Sequence, residues 1–229
     1  MTAQEPAAGA RYVVLGDVVG SREIEDRVAF RETFADARER IADAYGPAFA
    51  AGPAVLKGID ELGAVLTSLE RFYDIVVGFH DALYPHGIRL AVASGEIEVG
   101  ANGDVAHMDG EAFHRATDLL ESIETDGLRV GLDTGAGPLD TAVADEVNLL
   151  LHIRESWTDR QRDVVGRYER LGTQRAVAEE LDISQQAVSN VLQSASWPLV
   201  DTIEGRLRET LASRASGDDA SQATGVSSE

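Results

Sequence analysis

Three segments of this chain have residue types and spacing that could do chemistry. Asp17-Val18-Val19-Gly20-Ser21 sets a carboxylate and a glycine turn directly after the apolar run Tyr12 to Leu15. Lys57-Gly58-Ile59-Asp60-Glu61 sets acids at the tip of a hairpin, and Gly110-Glu111-Ala112-Phe113-His114-Arg115-Ala116 opens a late helix. Asp17 and Asp60, coming from adjacent strands, could hold Mg²⁺ against a nucleotide, because hard oxygen ligands suit that ion. Plainer roles stay open: Asp17 as a loop aspartate capping a turn, and Asp60 with Glu61 as a solvated hairpin tip. His114 beside Phe113 reads as a packed, hydrogen-bonded histidine rather than a base. His80, His86 and His107 lack ligand spacing. The chain contains no cysteine, so disulfides, thiolate metal sites and cysteine nucleophiles are out.

A different chemistry is written near the other end. Thr158 to Gly172 carries a threonine cap and a closing glycine, as one short helix should. Thr173 to Leu181 and Ser184 to Leu192 follow, joined by Asp182-Ile183. Two helices can cross steeply if a small residue sits at their contact and the turn tolerates a left-handed residue. Ala178 is the small residue, and aspartate at 182 visits the left-handed region more readily than most. Val177, Leu181, Ile183, Val188 and Val191 make the inner face. Ser184, Gln185, Gln186, Ser189, Asn190 and Gln193 remain outward, short or amide side chains suited to hydrogen-bonding base edges in a major groove. Thr173, Gln174 and Arg175 flank them, and Arg175 and Arg167 could touch phosphate. An ordinary helical bundle or a partner-binding module is the competing use of the same geometry. Residues 157 to 193 resemble the helix-turn-helix of sigma-factor-type and response-regulator-type proteins, which implies double-stranded DNA as the partner.

The 229 residues carry a formal net charge of -20 with 44% hydrophobic residues, enough for one buried core and a second small domain. Lys57 is the single lysine. An acid-rich, lysine-poor surface stays hydrated in concentrated salt, which fits a halophilic source as well as an ordinary acidic cytosolic protein. Because phosphate contacts weaken steeply with salt, a DNA-binding face in such a protein is expected to rely on direct contacts and on dimerisation. No stretch approaches a membrane span and the start lacks a signal pattern, so a soluble cytoplasmic protein is expected.

The elements that position these residues follow from periodicity. Strand, helix, hairpin, helix, strand, helix, strand, helix is the expected order. The helices are read over 25 to 45, 69 to 83, 110 to 123 and 139 to 153, and the inward residues of the first are Val28, Phe30, Phe34, Ala37, Ile41 and Ala44. The hairpin is read at 54 to 56 and 63 to 66, with an alternating piece at Glu96 to Val99. This is an α+β class, one sheet covered by helices. Past Glu155 only helical patterning remains, so the expected organisation is a disordered start (1–10), an α/β domain (11–155), an all-α helix-turn-helix domain (156–213) and a disordered tail (214–229). Leu199, Val200, Ile203, Leu207 and Leu211 form one stripe, expected to pack on the bundle or on a twin chain, hence a homodimer.

Residues 11 to 135 are similar to the class III nucleotidyl cyclase core and the diguanylate-cyclase palm, which implies a ferredoxin-like sandwich. That pattern places an asparagine on the late helix and an arginine four residues on, positions held here by His114 and Asp118. An aspartate cannot stabilise a phosphoryl transition state, so no catalytic residue is assigned. The hairpin departs too, with Lys57 three residues before Asp60 and Ile59 in place of glycine. The strand Tyr12 to Gly16 with Asp17-Val18-Val19-Gly20-Ser21-Arg22, the Asp60-Glu61 hairpin, the Gly110 to Ala116 helix start and Trp157-Thr158 together resemble the SatD family. The reading is a transcription regulator whose cyclase-like domain senses a nucleotide or dimerises. The alternative is a Mg²⁺-dependent nucleotidyl cyclase or nucleotide hydrolase with an accessory DNA-binding domain.

Overall fold

The computed structural model describes residues 11–56, 58, 60–98 and 104–224. Residues 1–10, Lys57, Ile59 and Val99, with the expectations that fall on them, lie outside the described residues.

Strand β1 (Tyr12–Val18) is rich in β-branched and aromatic residues and buried along most of its length, as a central strand must be. It pairs antiparallel with β3 (Glu61–Leu66) on one side and β4 (Ile88–Ser94) on the other. Strand β2 (Phe49–Val55) lies outside β3, and β5 (Val130–Asp133) runs parallel to β4, giving the order β2-β3-β1-β4-β5. With α1 (Arg27–Tyr45) and α2 (Phe72–Leu83), the first four strands make the βαββαβ arrangement of the ferredoxin-like sandwich. The parallel fifth strand requires a crossover, which α3 (Glu111–Asp126) provides. The class is α+β.

Val13, Leu15, Val65 and Ala93 face Ala112, Phe113 and Ala116 of α3 in one apolar cluster. Alternation sends Tyr12 and Val14 to the opposite face, where α1 buries Phe30, Phe34, Ala37 and Ile41 at helical spacing. Val28, expected among them, is exposed. Gly16 permits the tight pairing of β1 with β4: a Cβ there would lie 2.5 Å from Leu90 Cδ2 and 2.7 Å from the Arg89 carbonyl.

Two strand boundaries differ from the sequence expectation. β1 continues to Val18, so Asp17 sits inside the ladder rather than in a loop after it. β2 begins at Phe49, well before Ala54, because an Ala-Ala-Gly-Pro stretch reads as loop; Pro53 is tolerated on an edge strand whose register shifts twice. Among its described residues, the alternating Glu96 to Val99 piece contributes a bridge from Glu98 to Asp109. At the other edge the Asn148 side chain closes β5. Its Oδ1 accepts from the Arg129 and Val130 amides (2.7 and 3.0 Å) while Nδ2 donates to the Val130 carbonyl (2.8 Å).

The chain divides into two compact units, Met1–Asn148 with Arg208–Glu229, and Leu149–Leu207. The divisions fall inside α4 (Pro138–Glu155) and α8 (Trp197–Thr224), where an unbroken helical period hides them from a reading that saw one boundary near Ser156. Arg208 donates to Asp74 (2.7 Å) and lies over the Tyr73 ring, and Arg214 donates to Asp140 (2.8 Å). Arg214, expected to begin a disordered tail, is therefore held in α8, and the helix continues to Thr224 despite a polar sequence because propagation from an anchored helix costs little. Of the α8 stripe, Val200, Leu207 and Leu211 are buried within the chain and Leu199 is exposed, so the stripe does not by itself call for a second copy.

In the unit 149–207, α5 (Asp159–Leu171) starts with a Thr158/Gln161 capping box and ends at left-handed Gly172. α6 (Gln174–Leu181) and α7 (Gln185–Ser194) are capped by Thr173 and Ser184, and Asp182 between them adopts φ 51, ψ 47. Val164, Val165, Val177, Ala178, Val188 and Leu192 fill the interior. Leu181, Ile183 and Val191, read as inner-face residues, are only half-buried, while Leu192 is the buried anchor.

Candidate functional site

The α/β unit holds a cavity of about 360 Å³ between β1, β3 and α3. Leu15, Leu56, Leu62, Phe113 and Leu120 give it an apolar floor, and Asp17, Glu61, Glu121 and Glu124 give it carboxylates. Register explains which acids meet there. Residues directly opposite in a ladder share a face, and Asp17 is opposite Glu61 and Arg89. Asp60 lies one position away, its carbonyl bonded to the Val18 amide and its carboxylate accepting from the Ser21 hydroxyl at 2.6 Å. The carboxylates expected to act as a pair are thus engaged separately, Asp60 by Ser21 and Asp17 by Arg89.

Asp17 is also engaged. Arg89 Nε and Nη2 each donate to one of its oxygens at 2.9 Å, and Nη2 reaches Glu124 at 2.9 Å. The hydrogen bond to Asp17 in particular holds the Arg89 guanidinium above its ordinary pKa. Among the described residues no group of three or more His, Asp or Glu side chains is placed to hold a metal ion. Mg²⁺ with a nucleotide does not fit this arrangement: of the two carboxylates common to ladder and cavity, Asp17 already has a bidentate cation, and Glu61 with the others would face a triphosphate with like charge.

The late helix gives no phosphate-stabilising group either. Arg115 is bound to Asp133 through Nε (2.8 Å) and to the Ser94 carbonyl (2.8 Å). The side chain of His114, read as packed, is 76% exposed and 3.6 Å from Asp109, because it falls on the solvent side of α3 next to buried Phe113. Asp118 is exposed as well.

The second candidate is the outer surface of α7. Ser184, Gln185, Gln186, Asn190 and Gln193 are exposed and Ser189 half-exposed, with Thr173 and Arg175 exposed nearby and Gln174 half-buried. No residue from Gln185 to Ser194 is charged in a chain where 26% are. Leu149–Leu207 carries 7 arginines against 9 carboxylates, so only 2 of the 20 net negative charges fall on it. Gln186 Nε2 donates to Asn190 Oδ1 at 2.9 Å along one helix face. The flanking charges neutralise one another. Arg175 pairs with Glu179 (2.9 Å), Arg167 with Asp163 (2.7 Å) and Glu180, and Arg170 with Glu180 (2.8 Å). The hydrogen bond from Arg170 lowers the Glu180 carboxyl below its ordinary value.

Beneath this surface is a feature the sequence reading missed. Arg154, 1% exposed, donates to Glu204 (2.9 Å), which is equally buried, and to Glu169 (2.7 Å). Its guanidinium lies 5.1 and 5.6 Å from the rings of Trp157 and Trp197. Trp157 Nε1 donates to the Ala195 carbonyl at 2.9 Å, linking the cluster to the end of α7. An arginine among the apolar residues of α4 and a glutamate within the α8 stripe were the available signals.

A family model described as the SatD family matches residues 12–201. No curated protein matches. Among solved structures, one described as a bacterial light-regulated adenylyl cyclase is 16% identical with a TM-score of 0.38, covering 54% of this chain and 75% of that one. A second of the same description is 16% identical with a TM-score of 0.40, covering 54% and 43%. Likeness that loose carries no inference about chemistry. Among the described residues, no helix is long and apolar enough to cross a membrane.

Proposed function

The chain belongs to the SatD family, and for this member we propose a sequence-specific DNA-binding role as a transcription regulator, with α6 and α7 acting as a helix-turn-helix and α7 lying in the major groove. The α/β unit then serves as a cyclase-like sensory or dimerisation part. The observation that carries the proposal is the uncharged, hydrogen-bonding outer face of α7, set on a nearly neutral unit of an otherwise strongly acidic chain. A merely solvated helix on such a protein would be rich in glutamate, whose charge would repel phosphates; serine, glutamine and asparagine are the groups that read base edges. Left-handed Asp182 and the Thr173 and Ser184 caps fix the turn that presents this face.

Against the alternative of a Mg²⁺-dependent cyclase or nucleotide hydrolase stand the Arg89 clamp on Asp17 and the pairing of Arg115 with Asp133. The test is selection of duplexes from a random-sequence pool by the full chain, followed by fluorescence anisotropy from dilute to molar KCl. An enriched motif is expected, with preference over random duplex lost in Gln186→Ala/Asn190→Ala while the circular dichroism stays unchanged. No enrichment and no binding even in dilute salt would end the proposal.

A further inference from the structure

On the premise that α7 reads DNA, we infer that Asn190 recognises an adenine and that Gln186 is a positioning residue that fixes how Asn190 presents its amide. A carboxamide has one acceptor end and one donor end, and an unrestrained asparagine can offer either. Here the choice is made in advance. Gln186 Nε2 donates to Asn190 Oδ1 at 2.9 Å, and both side chains are exposed one helical turn apart. That bond uses one Oδ1 lone pair and leaves the second, together with both Nδ2 hydrogens, directed to solvent.

What remains is one acceptor beside one donor. Adenine shows the complement in the major groove, an N6 donor beside an N7 acceptor, whereas guanine shows two acceptors, one of which would oppose Oδ1. Holding the asparagine before contact also reduces the rotamer entropy lost on binding. Asn190 lies one turn past Gln186 near the middle of α7, on the stretch whose outward side chains are exposed. With Arg167, Arg170 and Arg175 closed on carboxylates, base contacts rather than phosphate contacts dominate the preference.

The experiment uses the full chain and the most enriched duplex from the random-pool selection, with each adenine replaced in turn by 7-deazaadenine. This analogue exchanges N7 for C–H and keeps Watson–Crick pairing. One adenine per site is expected at which the analogue weakens wild-type binding roughly 5- to 150-fold and leaves Asn190→Ala unaffected. Gln186→Met keeps the side-chain length and removes the donor; it should reduce the adenine-over-guanine preference at that base alone, without changing affinity for random duplex. A purely structural role for Gln186 would instead weaken every duplex alike and leave the preference intact, which refutes the inference. Tolerance of the analogue at every adenine also refutes it while leaving DNA binding in place. Absence of binding to any duplex overturns both readings.

Discussion

Replacing Glu204 by alanine strands the Arg154 guanidinium inside the helical unit. Both side chains are 1% exposed and joined at 2.8 to 2.9 Å, and removing one partner of such a pair costs about 3–5 kcal/mol because an uncompensated charge remains buried. Glu169, 2.7 Å from Arg154 and a third exposed, retains part of the compensation, so a loss of about 3 kcal/mol is expected. The two tryptophans of the chain, Trp157 and Trp197, flank the guanidinium, and their fluorescence reports this unit during urea unfolding. With a urea dependence of about 1–3 kcal/mol per molar, the midpoint should fall by about 1–3 M. Arg154→Met/Glu204→Leu removes both charges at similar volume and should lie within about 1 kcal/mol of the wild type, or above it. The reasoning is refuted if Glu204→Ala costs under about 1 kcal/mol, or if the double variant is as unstable as the single one.

Asp140 offers a pH test. Burial raises its carboxyl pKa, but hydrogen bonds from the Thr134 hydroxyl, Arg214 and the Thr134 amide outweigh burial and lower it. Its stabilisation is therefore fully present above the ordinary aspartate value of about 3.9 and is lost as pH falls through the lower folded value. Asp140→Ala should flatten the acid side of a melting-temperature profile, and an unchanged slope there would contradict the assignment. Asn148→Ala leaves the Arg129 and Val130 amides without their side-chain acceptor; a cost of about 1–3 kcal/mol is expected in denaturant unfolding, and no loss would mean water replaces the cap freely. Glu180→Gln releases Arg170 and leaves Arg167 held by Asp163 alone, so affinity for duplex in dilute salt should rise and the dependence of log K on log salt should steepen by about 1. A slope identical to wild type would place those arginines away from the phosphates.

The order of elements was legible in the sequence because apolar periodicity dictates it, and the Thr158, Thr173 and Ser184 caps with Asp182 announce their turns by residue type. The candidate acidic site was not legible to the residue. Whether Asp60 or Glu61 joins Asp17 depends on ladder register, which a hairpin with acids at adjacent positions does not specify. Arg89 could not be read as the partner of Asp17 because their meeting is a contact across 72 positions. The same holds for Arg154 and Glu204, 50 positions apart. His114 illustrates the opposite error: an aromatic neighbour suggested burial, but adjacent residues on a helix point about 100° apart.

The discontinuity of the first unit sets an order of events during synthesis. Leu149–Leu207 is continuous, whereas the unit begun at the N-terminus lacks Arg208, Leu211 and Arg214 until the residues that follow Leu207 are joined. Vectorial folding usually favours the segment made first. Here the segment begun first is completed only after the helical unit, and a chain ended after Leu207 would hold every residue of the helical unit while the α/β unit lacked Arg208 and Arg214.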